Sequence, residues 1–128
     1  MAIGASAGGP LALHTILSLM PANFPIPIVI VQHIDPNFAS GFCDWLNETS
    51  TVPVHIAYHG GKMVGGHAYL PPGDNHLSVA DDGILRIGKE LPERNLRPSV
   101  GFLFRSVAAV YGKNSIACLL YTSPSPRD

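Results

Sequence analysis

A serine in a glycine-rich segment near the amino terminus is the first residue that could do chemistry. It is Ser6, in the sequence Gly4-Ala5-Ser6-Ala7-Gly8-Gly9. An apolar run precedes the segment and a helical pattern follows it, which predicts a tight strand-to-helix turn. Backbone N–H groups converge at such a turn and can stabilise the oxyanion formed when a hydroxyl attacks a carbonyl. We therefore expect Ser6 as nucleophile, with Ala7, Gly8 and Gly9 supporting the oxyanion and the loop.

A serine nucleophile needs a base, and His33 follows a second strand. The run before it, Ile28-Val29-Ile30-Val31-Gln32, is typical of a parallel strand that is buried on both faces. Loops that follow neighbouring parallel strands meet at the same edge of the sheet. We therefore expect His33 beside Ser6 as general base. The alternative is a histidine that only packs or is solvated.

The serine loop has other interpretations. Glycine-rich turns hold phosphates, but the dinucleotide fingerprint needs glycine where Ser6 stands, and a Walker-type loop needs a Gly-Lys pair. The string Gly-x-Ser-x-Gly also marks the nucleophile elbow of α/β-hydrolases, in which strands precede the serine and the histidine comes late. A turn that serves backbone geometry alone remains an open alternative.

Composition bounds the class of protein. The 128 residues are 46% hydrophobic and 13% charged, which fits one domain with a buried core. A net charge of −1 without a basic run argues against nucleic acid as partner. The longest apolar stretch is too short to span a bilayer, so we expect no membrane insertion. Two cysteines make no disulfide framework, which favours the cytoplasm, and the histidines lack the pattern of a zinc site, so no metal is expected.

Hydrophobic periodicity predicts the elements that must position Ser6 and His33. The predicted strands cover residues 1–5, 28–32, 52–58, 68–70, 77–80, 84–87 and 115–120. The predicted helices cover residues 10–20, 37–50 and 98–111. The alternation of strand and helix at the start indicates a parallel sheet with right-handed crossovers. The strands at 77–80 and 84–87 are predicted to form a hairpin around Asp82-Gly83.

The closing residues differ from the rest. Residues 118–128 have two prolines and no core pattern after Tyr121, and they resemble the translation of a sequencing-library adapter. We therefore expect a partial domain over 1–120 that is incomplete at its C-terminal end, with a non-native tail over 118–128. A natural Ser/Pro-rich end is the alternative.

Several segments resemble, in family order, the catalytic domain of CheB-type protein-glutamate methylesterases. They are IGASAGGP at 3–10, VQH at 31–33, AYLPPGDNHL at 68–77, and RPSV at 97–100 with Leu103, Phe104 and Ser106. The resemblance implies an α/β fold with a doubly wound, mainly parallel sheet flanked by helices, in a Rossmann-like three-layer arrangement. It also implies Ser6 as nucleophile, His33 as base, and neither a metal nor an organic cofactor.

The resemblance further implies a function in bacterial chemotaxis. Members of the family remove methyl groups from glutamate esters on the cytoplasmic helices of chemoreceptors, and many also deamidate glutamines. The implied partners are methylated chemoreceptor helices, with a receiver or methyltransferase domain possible in the parent protein.

Departures from the family pattern limit what can be carried over. Ala7 stands where many members have threonine, and Gly101 where they usually have aspartate. The resemblance implies a third catalytic residue, an aspartate that follows the strand near Ser115. The chain enters its tail at that point, and Asp128, which lies in the tail, is not assigned the role. Such an aspartate orients the histidine and stabilises its charged form, so we expect poor activity from this chain. The alternative function is a non-catalytic regulatory or interaction module of a CheB-like fusion protein.

Overall fold

The computed structural model describes residues 1–6 and 8–120. The strands are β1 (Ala2–Ala5), β2 (Ile28–Gln32), β3 (Val54–Ile56), β4 (Ala68–Leu70), β5 (His76–Ala80), β6 (Ile84–Gly88) and β7 (Ala117–Leu120). Five of them form a parallel sheet in the order β3-β4-β2-β1-β7, and β5 pairs with β6 in an antiparallel hairpin. The helices are α1 (Gly9–Leu19), α2 (Ala39–Thr49) and α3 (Val100–Tyr111). None of these three helices is long and apolar enough to cross a membrane.

Strands β1, β2 and β4 of the parallel sheet are buried on both faces. On one face, alternate strand residues pack with α1 and α2 in a core that includes Ile3, Leu13, Leu17, Ile30, Phe42 and Leu46. On the other face, the intervening residues pack with α3 and the hairpin in a core that includes Ala2, Val31, Leu77, Leu85, Leu103 and Val107. Burial on both faces explains the uninterrupted apolar runs of the central strands. The predicted doubly wound, three-layer α/β fold with a small hairpin is confirmed.

Most predicted elements are present with shifted ends. Strand β2 has the predicted bounds. The third predicted strand, at 52–58, shortens to three residues, and the helix predicted at 37–50 begins at Ala39 after a single 3-10 turn, Pro36–Phe38. The side chain of Asp35 caps that turn by accepting a hydrogen bond from the N–H of Asn37 at 2.9 Å.

Strand β4 occupies a place that the sequence pattern did not specify. It inserts between β3 and β2 as a parallel strand, with Ala68 opposite both Val54 and Ile28. The third strand along the chain therefore lies at the edge of the sheet. Strands β1 and β2 remain direct neighbours at its centre, and these are the two strands that precede Ser6 and His33.

Strand β7 covers the other side of β1. Its four residues pair in register from Ala2 with Ala117 to Ala5 with Leu120. The predicted junction with a non-native tail, at 118–120, falls within this strand, and the assignment of that tail stays a prediction. Residues 121–128 lie outside the described part of the chain.

Candidate active site

Ser6 directly follows β1 at the carboxyl edge of the sheet and is half-buried. Its N–H donates to the carbonyl oxygen of Leu120 at 3.1 Å, and its own carbonyl oxygen accepts from the N–H of Gly9 at 2.7 Å. The chain therefore leaves the sheet and enters α1 within a few residues. Gly8 is the N-terminal cap of α1 with a φ of 77°, a left-handed conformation that strongly favours glycine.

Gly9 lets the start of α1 approach the ends of the strands. A Cβ atom at this position would lie 2.5 Å from Oε1 of Gln32 and 2.7 Å from Cβ of Ala5. Of the three residues predicted to support the oxyanion, Gly9 uses its N–H inside the loop and Gly8 shapes the turn. The third, Ala7, lies outside the described residues.

His33 directly follows β2, next to the serine loop. Ala5 lies opposite Gln32 in the register of β1 and β2, so Ser6 and His33 are the next residues along two adjacent strands. The N–H of His33 donates to the carbonyl oxygen of Ala5 at 2.9 Å. The structure thus brings the two predicted site residues to neighbouring strand ends. Within the described part of the chain, no hydrogen bond joins their side chains.

The imidazole of His33 is in an environment that favours its neutral form. The ring atom Nε2 is buried, and it has no hydrogen-bond partner among residues 1–6 and 8–120. Burial lowers the pKa of His33 below its ordinary value of 6.5, because desolvation penalises the charged imidazolium. A neutral ring nitrogen with an available lone pair is what a general base requires.

A cleft of about 310 Å³ opens beside His33. Its other walls come from the segment before α3 and from the first turns of α3, and they include Glu93, Arg94, Ser99 and Arg105. Ser6 is outside the set of lining residues. The carboxylate of Glu93 accepts hydrogen bonds from Arg105 and from Oγ of Ser99, the second at 3.1 Å. These contacts, Arg105 first, hold the pKa of Glu93 below its usual value.

A buried histidine that sequence reasoning did not single out anchors the wall of this cleft. His76 is fully buried, and its Nε2 lies 3.0 Å from the carbonyl oxygen of Leu91. Its Nδ1 lies 3.3 Å from the backbone N of Ser99, and its ring stacks on Phe102. The two partners fix the tautomer, because Nε2 must donate to the carbonyl while Nδ1 accepts from the N–H. His76 therefore holds both ends of the segment between residues 91 and 99.

An arginine–aspartate pair fixes the same segment from outside. Arg97 binds Asp74 in a bidentate manner, with Nε to Oδ1 at 3.0 Å and Nη2 to Oδ2 at 3.1 Å. It also donates to the carbonyl oxygens of Lys89 and Glu90. The hydrogen bond from Arg97 is the main reason that the pKa of Asp74 lies below 3.8. In the sequence, Asp74 and Arg97 lie in two segments of the family pattern, at 68–77 and 97–100. Their joint occurrence is the sequence feature that could have indicated this contact.

The described residues supply no carboxylate partner for the base. Within residues 1–6 and 8–120, no carboxylate hydrogen-bonds to the ring of His33. The carboxylate of Asp35 caps a turn, and that of Asp74 binds Arg97. Asp128 lies outside the described residues. The described chain also contains no group of three or more His, Cys, Asp or Glu side chains placed to hold a metal ion.

Comparisons with known proteins identify relatives of this chain. The protein-glutamate methylesterase/protein-glutamine glutaminase 4 of Geobacter metallireducens is 47% identical over 121 residues, which cover 94% of this chain and 35% of that protein. The protein-glutamate methylesterase/protein-glutamine glutaminase of Nitrosospira multiformis is 47% identical over 118 residues, 92% of this chain and 33% of that protein. The chain thus spans about a third of the length of these curated relatives.

The structure and the family pattern match as well. The crystal structure of the Thermotoga maritima CheB methylesterase catalytic domain superposes with a TM-score of 0.87 at 37% identity, covering 92% of this chain and 64% of that one. The model of the family described as CheB methylesterase matches residues 1–122. Because that match takes in nearly the whole sequence, including both strand ends of the site, this chain belongs to the CheB methylesterase family.

Proposed function

We propose that the protein containing this chain hydrolyses methyl esters of protein glutamates and deamidates protein glutamines. The observation that carries the proposal is the placement of Ser6 and His33 as successive residues after two paired parallel strands. Family membership and the names of the relatives, protein-glutamate methylesterase/protein-glutamine glutaminase, support the choice of substrate. As a carboxylic ester hydrolase, the protein would use no metal and no organic cofactor.

In the proposed first half of the reaction, Oγ of Ser6 attacks the carbonyl carbon of the glutamate methyl ester. His33 takes the hydroxyl proton, and the carbonyl electron pair moves onto oxygen. Backbone N–H groups at the start of α1, in the loop of Ala7 and Gly8, support this oxyanion. As the intermediate collapses, the bond to the methoxy group breaks and the His33 imidazolium gives its proton to the methoxy oxygen, which leaves as methanol. Ser6 is left as a glutamyl ester.

The proposed second half returns the free enzyme. Water adds to the Ser6 ester while neutral His33 accepts a proton from it. The new tetrahedral intermediate expels Oγ of Ser6, and the imidazolium returns the proton to that oxygen. The product is a glutamate carboxylic acid. With a glutamine substrate the same steps release ammonia in place of methanol, because only the leaving group differs.

The cleft beside His33 is the proposed site for the segment that carries the modified side chain. It adjoins the base and is lined by charged groups, among them Glu93, Arg94 and Arg105. A polar, water-exposed helix is a suitable occupant of such a surface. We therefore propose the methylated cytoplasmic helices of chemoreceptors as substrate, in chemotaxis signalling in the cytoplasm. A phosphorelay receiver domain or a methyltransferase domain in the same protein is the proposed source of regulation.

A second function is favoured by one observation at the base. Since no carboxylate in the described part of the chain meets the His33 ring, the imidazolium formed in the reaction lacks a stabilising anion there. The proposed consequence is slow turnover by the 128-residue chain. If the parent protein in its full length, here called the intact protein, also supplies no such carboxylate, the fold would serve as a regulatory or interaction module.

Methanol release from a methylated chemoreceptor cytoplasmic fragment tests these alternatives. The intact protein, its Ser6→Ala variant and a Ser18→Ala control would be compared, because Ser18 lies near the far end of α1, where its hydroxyl bonds to His14 and Thr49. The esterase function predicts release that the Ser18 control retains and that falls about a thousandfold or more without Ser6. Receptor binding without Ser6-dependent release would instead support the module.

A further inference from the structure

We infer that Gln32 is a positioning residue that fixes the serine loop relative to His33. Its catalytic consequence rests on the proposed esterase function, whereas the contacts themselves do not. Gln32 is the last residue of β2, and only 3% of it is exposed. A buried glutamine at the end of an otherwise apolar strand must satisfy its amide within the protein.

The side-chain amide of Gln32 joins the two halves of the site. Its Nε2 donates to the carbonyl oxygen of Ser6 at 3.1 Å and to the carbonyl oxygen of His33 at 3.1 Å. One nitrogen thus ties the peptide that follows the nucleophile to the peptide that follows the base. The N–H of Gly9 donates to the same Ser6 oxygen at 2.7 Å. That carbonyl is therefore held from the helix and from the neighbouring strand.

The orientation of the amide is fixed by its surroundings. If the group were rotated by half a turn, Oε1 would face the two carbonyl oxygens and repel both. In the observed orientation Oε1 is buried without a hydrogen-bond partner among the described residues, and the start of α1 closes over it at Gly9. An unpaired buried oxygen is costly. The unpaired Oε1 therefore lowers the stability of the fold, while Nε2 donates to both site loops. A local loss of stability of this kind is expected at functional positions.

The consequence for catalysis is geometric. Proton transfer from Ser6 to His33 needs a short, aligned approach between Oγ and a ring nitrogen. Because the two side chains make no direct hydrogen bond in the described structure, main-chain restraints have to set their separation. Gln32 supplies the side-chain restraint that spans both loops. Its amide donates to the backbone carbonyl oxygens of Ser6 and His33, so it acts through the placement of these two residues.

The test compares Gln32→Met in the intact protein with a matched control. Methionine keeps the length of the side chain and removes both donors. The control is Asn47→Leu, which removes another side-chain amide contact, the 2.9 Å bond from the N–H of Val54 at the opposite end of the sheet. We expect Gln32→Met to lower kcat between about tenfold and a hundredfold with KM within about twofold. The control should leave both constants within about twofold of wild type.

Backbone amide exchange provides a readout that needs no turnover. Loss of the Gln32 amide should speed exchange at the N–H groups of Gly9 and His33 by about fivefold or more, while the Asn47 control leaves them unchanged.

Wild-type exchange at both sites together with unchanged kcat would overturn the inference. A fall in kcat of the same size in the control would also overturn it, since the effect would then be one of general stability. Absence of Ser6-dependent turnover in the wild type would refute the proposed function, and the exchange rates would still decide on Gln32.

Discussion

Val100, at the start of α3, packs directly against the main chain of Gly4 in β1. A Cβ atom at Gly4 would lie 2.4 Å from Cγ1 of Val100 and 2.7 Å from its Cγ2. The strand that delivers Ser6 and the helix that forms one wall of the cleft are therefore in close contact. Ser99 caps this helix by accepting a hydrogen bond from the N–H of Phe102 at 3.2 Å, and it also lines the cleft.

Gly4→Ala is expected to destabilise the fold. The added methyl group overlaps both branches of Val100, and overpacking of a core contact costs about 1–3 kcal/mol in the free energy of unfolding. Urea denaturation measures this change. Val100→Ala in the same chain removes the clashing branches, so the double variant should recover most of the loss that Gly4→Ala causes. Additive losses in the double variant would show that the two residues are not coupled.

The pH dependence of hydrolysis should report the burial of His33. The neutral ring is the active form of a base, so kcat/KM rises with pH through the pKa of His33 in the free enzyme. Because burial lowers that pKa, the rise should be centred below 6.5. A rise centred clearly above 6.5 would mean that another group, or a charged partner of His33, controls the rate.

Substitution identifies the group behind that rise. His33→Gln should lower kcat about a thousandfold or more and abolish the rise of kcat/KM with pH, the acid limb of the profile. His55→Gln is the control, because His55 lies on the edge strand β3 and bonds to His67. An unchanged acid limb in His33→Gln would assign it to a different residue.

His76→Leu should loosen the wall of the cleft. The change leaves the carbonyl oxygen of Leu91 and the N–H of Ser99 without the partners that His76 provides. Each buried polar group left unpaired costs about 1–3 kcal/mol, so thermal unfolding should reveal a large loss of stability. In the control His59→Leu, an exposed ring loses one hydrogen bond from the N–H of Ile87. Equal losses in the two variants would show that His76 is not an anchor.

Strand and helix positions followed from side-chain periodicity wherever the elements were long or fully buried. Strand β2 was predicted with its observed bounds because a strand covered on both faces reads as one apolar run. The place of β4 could not be predicted in the same way. Its three residues, Ala68–Leu70, carry no signal of which strands flank them, and pairing partners come from tertiary packing.

The candidate site, too, could be predicted from the sequence only in part. Ser6 and His33 could be located because each stands at the end of a recognisable strand, and the rule for parallel sheets places such ends together. Gln32 was visible as a neighbour of His33, but the direction of its side chain depends on the approach of α1 at Gly9. The contact between His76 and Ser99 joins positions 23 residues apart, which local patterns do not encode.

Covalent trapping tests most directly whether Ser6 is the nucleophile. The intact protein would be treated with a fluorophosphonate, a reagent that phosphonylates activated serine hydroxyls, and digested for peptide mass spectrometry. We predict the adduct on the peptide that contains Ser6, a rate of labelling that falls about a hundredfold or more in His33→Gln, and normal labelling in Ser18→Ala. Modification of another residue, or labelling of Ser6 at the same rate without His33, would contradict the account.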